Sequence, residues 1–322
     1  MLTSNSPGRE ALQGFLFSTG ESLATTKRTV AAMGGTATIT MVGATAPVLD
    51  AAVHLLGVCE ELWSRFLRTS DISRLNWAEG HPVNVHSSTI RLIDAMVEGY
   101  NLTRGAFDPT MLPAVIREGY GQSTTSSGLV TTLPSSSVAG GDPAKIEITG
   151  TTVTLPEGMT LDPGGIGKGL AADMVCELIM DAGAWGVVVD VGGDIVVGGR
   201  PAQGFAWDLG VENPFEPTGY SALVRLSRGA LVTSSQRKRR FGPVGFERHH
   251  IMDARTGASA ETRVQTVSVI AATGARAESL TKPGFAWDTD EYLRWLPSVG
   301  AAGLVIDDSG VATASGNWER YQ

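Results

Sequence analysis

The sequence predicts an α+β fold with a largely antiparallel β-sheet core and flanking helices. Two helical segments come early in the chain, between residues 47 and 105, and two more are predicted around 274–282 and 288–296. Short strands fill most of the stretch between residues 186 and 271, and there is no internal repeat. Helices and strands in separate blocks favour this class over a parallel sheet, which needs regular strand–helix alternation.

Length, composition and net charge limit the classes of protein to which this sequence can belong. The 322 residues are 42% hydrophobic, enough for a sizeable core, and predict a single domain over 21–322 behind a flexible arm at 1–20. A Gly-, Ser- and Thr-rich loop or linker is predicted at about 119–143. The net charge of −8 argues against nucleic-acid binding. Without a long apolar run or a signal-peptide pattern, we predict a cytoplasmic protein without membrane insertion.

The apolar pattern gives the early elements in order. Residues 27–43 alternate and are rich in β-branched side chains, which predicts one strand with a glycine pair inside it. Apolar residues at helical spacing predict a helix over 47–67. A second helix has Ser87 or Ser88 as its predicted N-cap and ends near Gly105.

The most unusual segment is "LDPGGIGKGLAADM", residues 161–174, which has four glycines around Lys168. It fails as a Walker A phosphate loop, because Asp162 stands where a glycine is needed and Gly169 where a hydroxyl would hold magnesium. It fits a dinucleotide fingerprint locally, with Asp190 as the later acidic residue, but strand–helix alternation does not continue. The segment predicts a helix N-terminus with free amides beside an ammonium group, which together bind anionic oxygens.

Other short segments are unusual for their length, and their order along the chain matters more than any one of them. Each combines glycine or proline with polar side chains at fixed positions. They are "MGGT" from Met33, "SDISRLN" from Ser70, "GAFDPT" from Gly105, "DPGGIGKG" from Asp162, "GGD" ending at Asp194, "TS" from Thr233, "HIMDARTG" from His250 and "AESL" ending at Leu280.

In order and spacing these segments resemble the ApbE family of FAD:protein FMN transferases. The resemblance implies a magnesium-dependent reaction that moves the FMN half of FAD onto a threonine or serine hydroxyl of a target flavoprotein and releases AMP. FAD is then a substrate, Mg²⁺ the cofactor and the flavoprotein the partner. By position, the resemblance implies an FAD site of Met33, Phe66, Ala106, Phe107, Asp108, Asp162, Lys168, Asp194 and Ile251, and metal-ligand positions at Gly165, Glu278 and Lys282.

The chemistry fits these residue types independently. Phosphoryl transfer needs charge neutralisation and positioning, which Lys168 and a metal can supply. The acceptor hydroxyl must lose its proton, and a histidine titrates near neutrality. His249 and His250 point to opposite faces of a strand, so one of them can enter the site, and the resemblance selects His250. Asp194 has a second interpretation, as a turn residue that accepts backbone amides.

The sequence departs from the family where the metal is expected. Glu278 takes the carboxylate position, but Lys282 stands where a threonine is usual, and Thr281 lies one residue away. Because an ammonium repels a divalent cation, one hypothesis is that Lys282 pairs with Glu278 and takes the place of the metal. The alternative is that Lys282 points away and magnesium keeps more of its water ligands.

Two smaller departures flank the expected flavin site. Pro163 replaces an aliphatic residue, and Ser235 follows the T-S pair where glycine is usual. They leave two other functions open beside FMN transfer. One is a family-like fold that uses its pocket for another reaction, such as tailoring a small aromatic metabolite. The other is a non-catalytic FAD-binding protein.

Overall fold

A computed structural model describes residues 23–123, 128–237, 240–241, 248–249 and 251–322. The arm predicted at 1–20 and the predicted base His250 lie outside the described residues. Within them, the helices are α1 (Ala46–Trp63), α2 (Asp71–Asn76), α3 (Ser87–Leu102), α4 (Leu112–Arg117), α5 (Gly167–Asp181), α6 (Gly274–Leu280) and α7 (Thr289–Trp295).

The strands of the same ranges are short, apart from the long hairpin strand β9. They are β1 (Thr25–Ala32), β2 (Gly35–Val42), β3 (Val83–Asn84), β4 (Glu147–Thr149), β5 (Thr152–Thr154), β6 (Gly186–Val191), β7 (Asp194–Gly199), β8 (Trp207–Asn213), β9 (Glu216–Leu226), β10 (Gly229–Ser235), β11 (Arg240–Phe241), β12 (Arg248–His249), β13 (Met252–Asp253), β14 (Ala258–Ser259), β15 (Val264–Ala271), β16 (Ala302–Asp307) and β17 (Ala312–Ala314).

A large antiparallel sheet organises the molecule. Among the described residues, eight strands follow one another in the order β1-β2-β6-β7-β10-β15-β16-β17. Every neighbouring pair in this order is antiparallel. The predicted α+β class with a largely antiparallel core is therefore confirmed.

The sheet buries apolar side chains on both faces, and strand β10 shows how. Ala230 and Val232 belong to the larger apolar cluster, on the side of helices α1, α5 and α6. Leu231, between them, belongs to a second cluster with the β8–β9 hairpin and Trp318. Because successive strand residues point to opposite faces, one short apolar strand serves both layers.

The single strand predicted over 27–43 is wrong, because the segment forms the β1–β2 hairpin. Ala32 pairs with Gly35 across a two-residue turn. Met33 and Gly34, the turn residues, have φ angles of 51° and 72°. Positive φ at both central positions is the geometry that joins two twisted strands tightly, so the glycine pair marks a turn and not a strand interior.

Two helix ends also differ from the prediction. Helix α1 ends at Trp63, because Ser64 adopts extended backbone, although apolar spacing continues to residue 67. The N-cap of α3 is His86, whose side chain accepts a hydrogen bond from the backbone of Ser88. None of the helices in the described ranges is long and apolar enough to cross a membrane.

Candidate active site

A cleft of about 520 Å³ opens where several chain turns meet at one end of the sheet. The β1–β2 and β6–β7 turns, the end of β10, the start of α5 and the end of α6 all reach it. The cleft brings together most of the residues predicted from the sequence. Those lining it are Met33, Phe66, Ala106, Phe107, Asp108, Asp162, Gly165, Lys168, Ile251, Glu278 and Lys282, and Pro163 and Ser235 line it as well.

The glycine-rich segment forms a tight turn that leads into α5. Asp162 accepts a hydrogen bond on Oδ1 from the Gly164 N–H at 2.9 Å. Gly165 has a φ of 107°, which only glycine adopts without strain. The prediction of free amides at this helix start is partly wrong. The Gly167 N–H donates to the Pro163 carbonyl, and the Gly169 N–H donates to Glu278 Oε2, both at 2.9 Å.

Helices α5 and α6 hold each other in place. A Cβ on Gly169 would lie 2.3 Å from the Gly274 carbonyl oxygen, so the two backbones touch. In the other direction, the Asp173 carboxylate of α5 accepts the N–H groups of Gly274 and Ala275 at 2.6 and 2.9 Å. Burial raises the pKa of Asp173 to about 6, although both amides oppose the shift. The sequence analysis missed Asp173.

Lys168 lies between two buried carboxylates. Its Nζ contacts Asp194 Oδ2 and lies 3.2 Å from Glu278 Oε1, and both carboxylates are 2% exposed. Burial raises the pKa of Asp194 to about 7, against the attraction of Lys168. Burial also opposes ionisation of Glu278, yet the Lys168 and Lys282 ammonium groups hold the pKa of Glu278 below its ordinary value.

The two aspartates beside the Gly192–Gly193 pair have different partners. Asp190 accepts the Gly193 N–H on Oδ1 at 2.8 Å, which is the role of a turn residue. Both glycines have positive φ, 64° and 94°. Asp194 begins β7 beyond the turn and contacts Lys168. The turn role that the sequence left open for Asp194 therefore belongs to Asp190.

Lys282 lies inside the cleft. Its Nζ donates to Ser234 Oγ at 2.9 Å and to Thr281 Oγ1 at 3.1 Å. Its stem packs on Gly165, where an added Cβ would be 2.9 Å from Lys282 Cε. The alternative in which Lys282 points away therefore does not describe this structure. Glu278 Oε1 lies 3.2 Å from Lys168 Nζ, so Lys168 is an ion-pair partner of Glu278.

Arg65 is a cleft residue that the sequence analysis missed. It is 7% exposed, with its guanidinium 4.5 Å from the Phe66 ring centroid and 5.0 Å from that of Tyr120. Its Nη2 donates to the Tyr120 carbonyl at 2.8 Å, and its Nε lies 3.8 Å from Asp162 Oδ1. Position 65 lay inside the helix predicted over 47–67 but outside its apolar positions, so periodicity gave no signal for it.

Two polar side chains, Asn76 and Asp108, hold segments of backbone in place near the cleft. Asn76 makes a pair of hydrogen bonds with the backbone of Leu161, at 2.9 and 2.7 Å, and so fixes the start of the glycine-rich segment. Asp108 Oδ1 accepts the N–H of Thr110 at 2.8 Å and its hydroxyl at 2.6 Å. Burial raises the pKa of Asp108.

The residues present do not fit a magnesium ion. Magnesium prefers oxygen ligands in near-octahedral geometry. Glu278 uses one oxygen for Lys168 and the other for the Gly169 N–H, and the Lys282 stem lies on Gly165. In the part of the chain that the structure describes, no group of three His, Cys, Asp or Glu side chains could hold a metal ion.

A profile of the ApbE family matches residues 33–305 of the chain. The chain belongs to the ApbE family. An FAD:protein FMN transferase of Vibrio cholerae is 25% identical over 222 residues, which cover 67% of this chain and 66% of that protein. One from Treponema pallidum is 32% identical over 184 residues, which cover 53% of this chain and 51% of that protein. The chain thus spans just under two thirds and about half of these two relatives.

Solved ApbE structures share the fold. The ApbE protein of Thermotoga maritima has a TM-score of 0.81 and 23% identity, and the match covers 92% of this chain and 99% of that one. The apo flavinyl transferase ApbE of Pseudomonas stutzeri has a TM-score of 0.78 and 22% identity, with 94% and 98% covered. The ApbE-like fold predicted from the sequence is confirmed.

The structure describes part of the segment around the "HIMDARTG" motif, including His249 just before it. His249 is 7% exposed, and its Nε2 lies 3.1 Å from the Ala260 carbonyl oxygen. Its own carbonyl accepts the Ser259 hydroxyl at 2.9 Å. This is a structural role. Ile251, two residues on, lines the cleft, and His250 between them stays a prediction.

Proposed function

We propose that this chain is an FAD:protein FMN transferase, which moves the FMN half of FAD onto a threonine or serine hydroxyl of a target protein. The acceptor oxygen forms a bond to the phosphorus of the FMN half. The bond between that phosphorus and the bridging oxygen breaks, AMP leaves, and the acceptor proton goes to a base. The observation that carries the proposal is that two ammonium groups, Lys168 and Lys282, line one cleft together with aromatic side chains.

The two lysines suit the charge that develops during phosphoryl transfer. Negative charge spreads over the phosphoryl oxygens and the leaving group, so catalysis is mainly positioning and electrostatic stabilisation. Neither ammonium has to be ordered by the substrate, since Lys168 is held by two carboxylates and Lys282 by two hydroxyls. Donors that are already oriented stabilise a transition state at little reorganisation cost.

The other walls of the cleft suit the flat rings of FAD. Phe66 and Phe107 line it, and the Arg65 guanidinium lies over Phe66. Aromatic rings and guanidinium planes both stack on heterocycles such as adenine and isoalloxazine. These surfaces support FAD as the substrate.

Three parts of the proposal rest on the sequence. His250 is the proposed base, because its motif position and its titration range suit proton removal from a hydroxyl. The acceptor is a Thr or Ser side chain of a flavoprotein, as the family resemblance implies. The cytoplasmic location also stays a prediction, which cell fractionation tests.

The test is to incubate the protein with FAD and a peptide that carries a Ser-Gly-Ala-Thr acceptor, and to follow AMP release and the mass of the peptide. We expect an FMN–peptide adduct and an equal amount of AMP. Replacing Lys168→Met should slow the reaction by about 10²-fold or more, as loss of a transition-state charge contact does. Lys145→Met, at an exposed lysine, is the matched control.

The other outcomes separate the remaining functions. FAD binding without transfer to this or any flavoprotein acceptor would identify a non-catalytic FAD-binding protein. Absence of both binding and transfer would favour another reaction in the same fold, such as modification of a small aromatic metabolite.

A further inference from the structure

We propose that Lys282 is a built-in cation, whose ammonium takes the place of a divalent metal beside the phosphates, so that FAD binding by this chain does not depend on magnesium. The inference rests on the proposed function, since it concerns how the same cleft neutralises the pyrophosphate. It goes further by assigning the cation to a side chain of the chain itself.

The position of the Lys282 side chain is the first argument. Its stem lies against Gly165, the residue at which the ApbE resemblance implies a metal ligand, and an added Cβ there would be 3.6 Å from Nζ. Lys282 also lines the cleft beside Lys168 and Glu278. The Lys282 side chain therefore fills the space beside Gly165 in which a bound cation would be expected.

The hydroxyl groups around Lys282 are oriented to receive a cation. Thr281 donates its own hydroxyl proton to the Glu278 carbonyl at 2.7 Å. Its oxygen can therefore only accept from Lys282 and from Ser234, whose Oγ lies 2.7 Å away. An ammonium donates and cannot accept, so Lys282 donates to both hydroxyl oxygens. Ser234 in turn donates its hydroxyl proton to Thr281 Oγ1. Two hydroxyl oxygens turn their lone pairs toward Nζ.

A further argument is the charge balance of the cluster formed by Asp194, Glu278, Lys168 and Lys282. Asp194 and Glu278 are buried carboxylates, and Lys168 alone would leave them with a net charge of −1. Uncompensated buried charge is costly. Counted as ionised groups, Asp194, Glu278, Lys168 and Lys282 have a formal charge of zero together. No divalent ion is needed to reach that formal balance.

Glu278 is already engaged by other groups. Its Oε2 accepts the Gly169 N–H at 2.9 Å, and its Oε1 lies 3.2 Å from Lys168 Nζ. A divalent ion would have to displace these contacts and then lie beside the Lys282 ammonium. The divalent ion and the Lys282 ammonium would repel each other strongly, because water screens charges weakly in a partly buried site.

The experiment compares wild type with Lys282→Thr and Lys282→Met. FAD affinity is measured by flavin fluorescence and calorimetry, once in EDTA and once with excess Mg²⁺. Binding of Mn²⁺ to each protein without FAD is measured by electron paramagnetic resonance. Lys27→Thr, at an exposed lysine of β1, is the control for loss of one positive charge. Thermal unfolding identifies any variant that does not fold.

For wild type we expect the same FAD affinity in EDTA and in Mg²⁺, and no saturable Mn²⁺ site. In EDTA, both Lys282 variants should bind FAD about tenfold to a hundredfold more weakly, the loss expected for one hydrogen bond to a charged group. Lys282→Thr, with a net negative cluster and a new hydroxyl, should gain a Mn²⁺ site and recover FAD affinity in Mg²⁺. Lys282→Met, without the hydroxyl, should recover less.

The inference is overturned if wild type binds Mn²⁺ as tightly as Lys282→Thr, or if its FAD affinity collapses in EDTA. Failure to bind FAD in any condition would overturn the proposed function instead. The Mn²⁺ measurement does not use FAD, so it decides the role of Lys282 in that case as well.

Discussion

Lys168 is the residue on which the charge balance of the cleft depends. The sequence predicted it as an anion ligand, because it is a lysine inside a glycine-rich turn. In the structure it contacts Asp194 and lies 3.2 Å from Glu278. Its ammonium thus has two tasks, to compensate buried carboxylates and to face the cleft.

Replacing Lys168→Met should destabilise the fold in a pH-dependent way. The pKa of Asp194 is about 7 against an ordinary 3.8, so the folded chain keeps this proton over an interval in which the unfolded chain has lost it. The free energy of unfolding therefore falls as the pH rises through that interval, because the unfolded chain loses this proton there and the folded chain does not. Without Lys168 we expect a loss of about 3–5 kcal/mol at pH 8, and a smaller one at pH 5.

Urea unfolding at both pH values measures this difference, with Lys145→Met as the control for removal of an exposed lysine. An equal loss of stability at pH 5 and pH 8 would show that Asp194 is not the group that Lys168 compensates.

At the scale of elements, the contact between α5 and α6 positions the site. Gly169 and Gly274 bring the two backbones together, and the carboxylates of Asp173 and Glu278 each accept amides from the opposite helix. The sequence predicted a helix at both places. It could not show that they touch, because a contact between residues 169 and 274 leaves no local pattern.

Gly169→Ala should therefore damage both fold and site. Its Cβ would lie 2.3 Å from a backbone oxygen that cannot rotate away, so the helices must separate. We expect a loss of about 1–3 kcal/mol in urea unfolding, and weaker FAD binding as Glu278 moves away from Lys168.

Gly57→Ala is the matched control for stability, because Gly57 lies in α1 with nothing within 4 Å of an added Cβ. That change should stabilise the chain by about 0.5–1 kcal/mol through helix propensity alone. If Gly169→Ala lowers the free energy of unfolding no more than Gly57→Ala does, the close approach of the two helices is wrong.

At the scale of the whole molecule, the sheet separates the cleft side from a second apolar layer. Helices α1, α5 and α6 cover one face, while Trp318 and the β8–β9 hairpin cover the other. Stability and ligand binding can therefore be changed separately.

Trp318→Ala tests this separation. Trp318 is 2% exposed in the second layer, and its truncation should cost about 3–5 kcal/mol in urea unfolding. FAD affinity should stay within twofold or so of wild type, because the residue packs on the face away from the cleft. Phe205→Ala, at a ring that is 69% exposed, should change stability by less than about 0.5 kcal/mol. A large loss of FAD affinity in Trp318→Ala would contradict the two-layer description.

The sequence by itself determined the fold class, and most of the site residues that the ApbE resemblance implies line the cleft. The fold class follows from alternating and helical apolar patterns, which are local and can be read from short segments. The order of the motifs from Met33 to Leu280 was enough to predict that residues far apart in the chain belong to one site. Local pattern was misleading where a turn interrupts an alternating run, as at Met33 and Gly34.

Only the tertiary structure decided which group pairs with which. It assigned Asp190 to the turn and Asp194 to Lys168, added Arg65 to the cleft, and placed Lys282 on Gly165. The physical reason is that electrostatic and hydrogen-bond partners depend on distances of about 3 Å between groups that are distant in sequence. A motif predicts a position in the chain, whereas the charge around that position is fixed by packing.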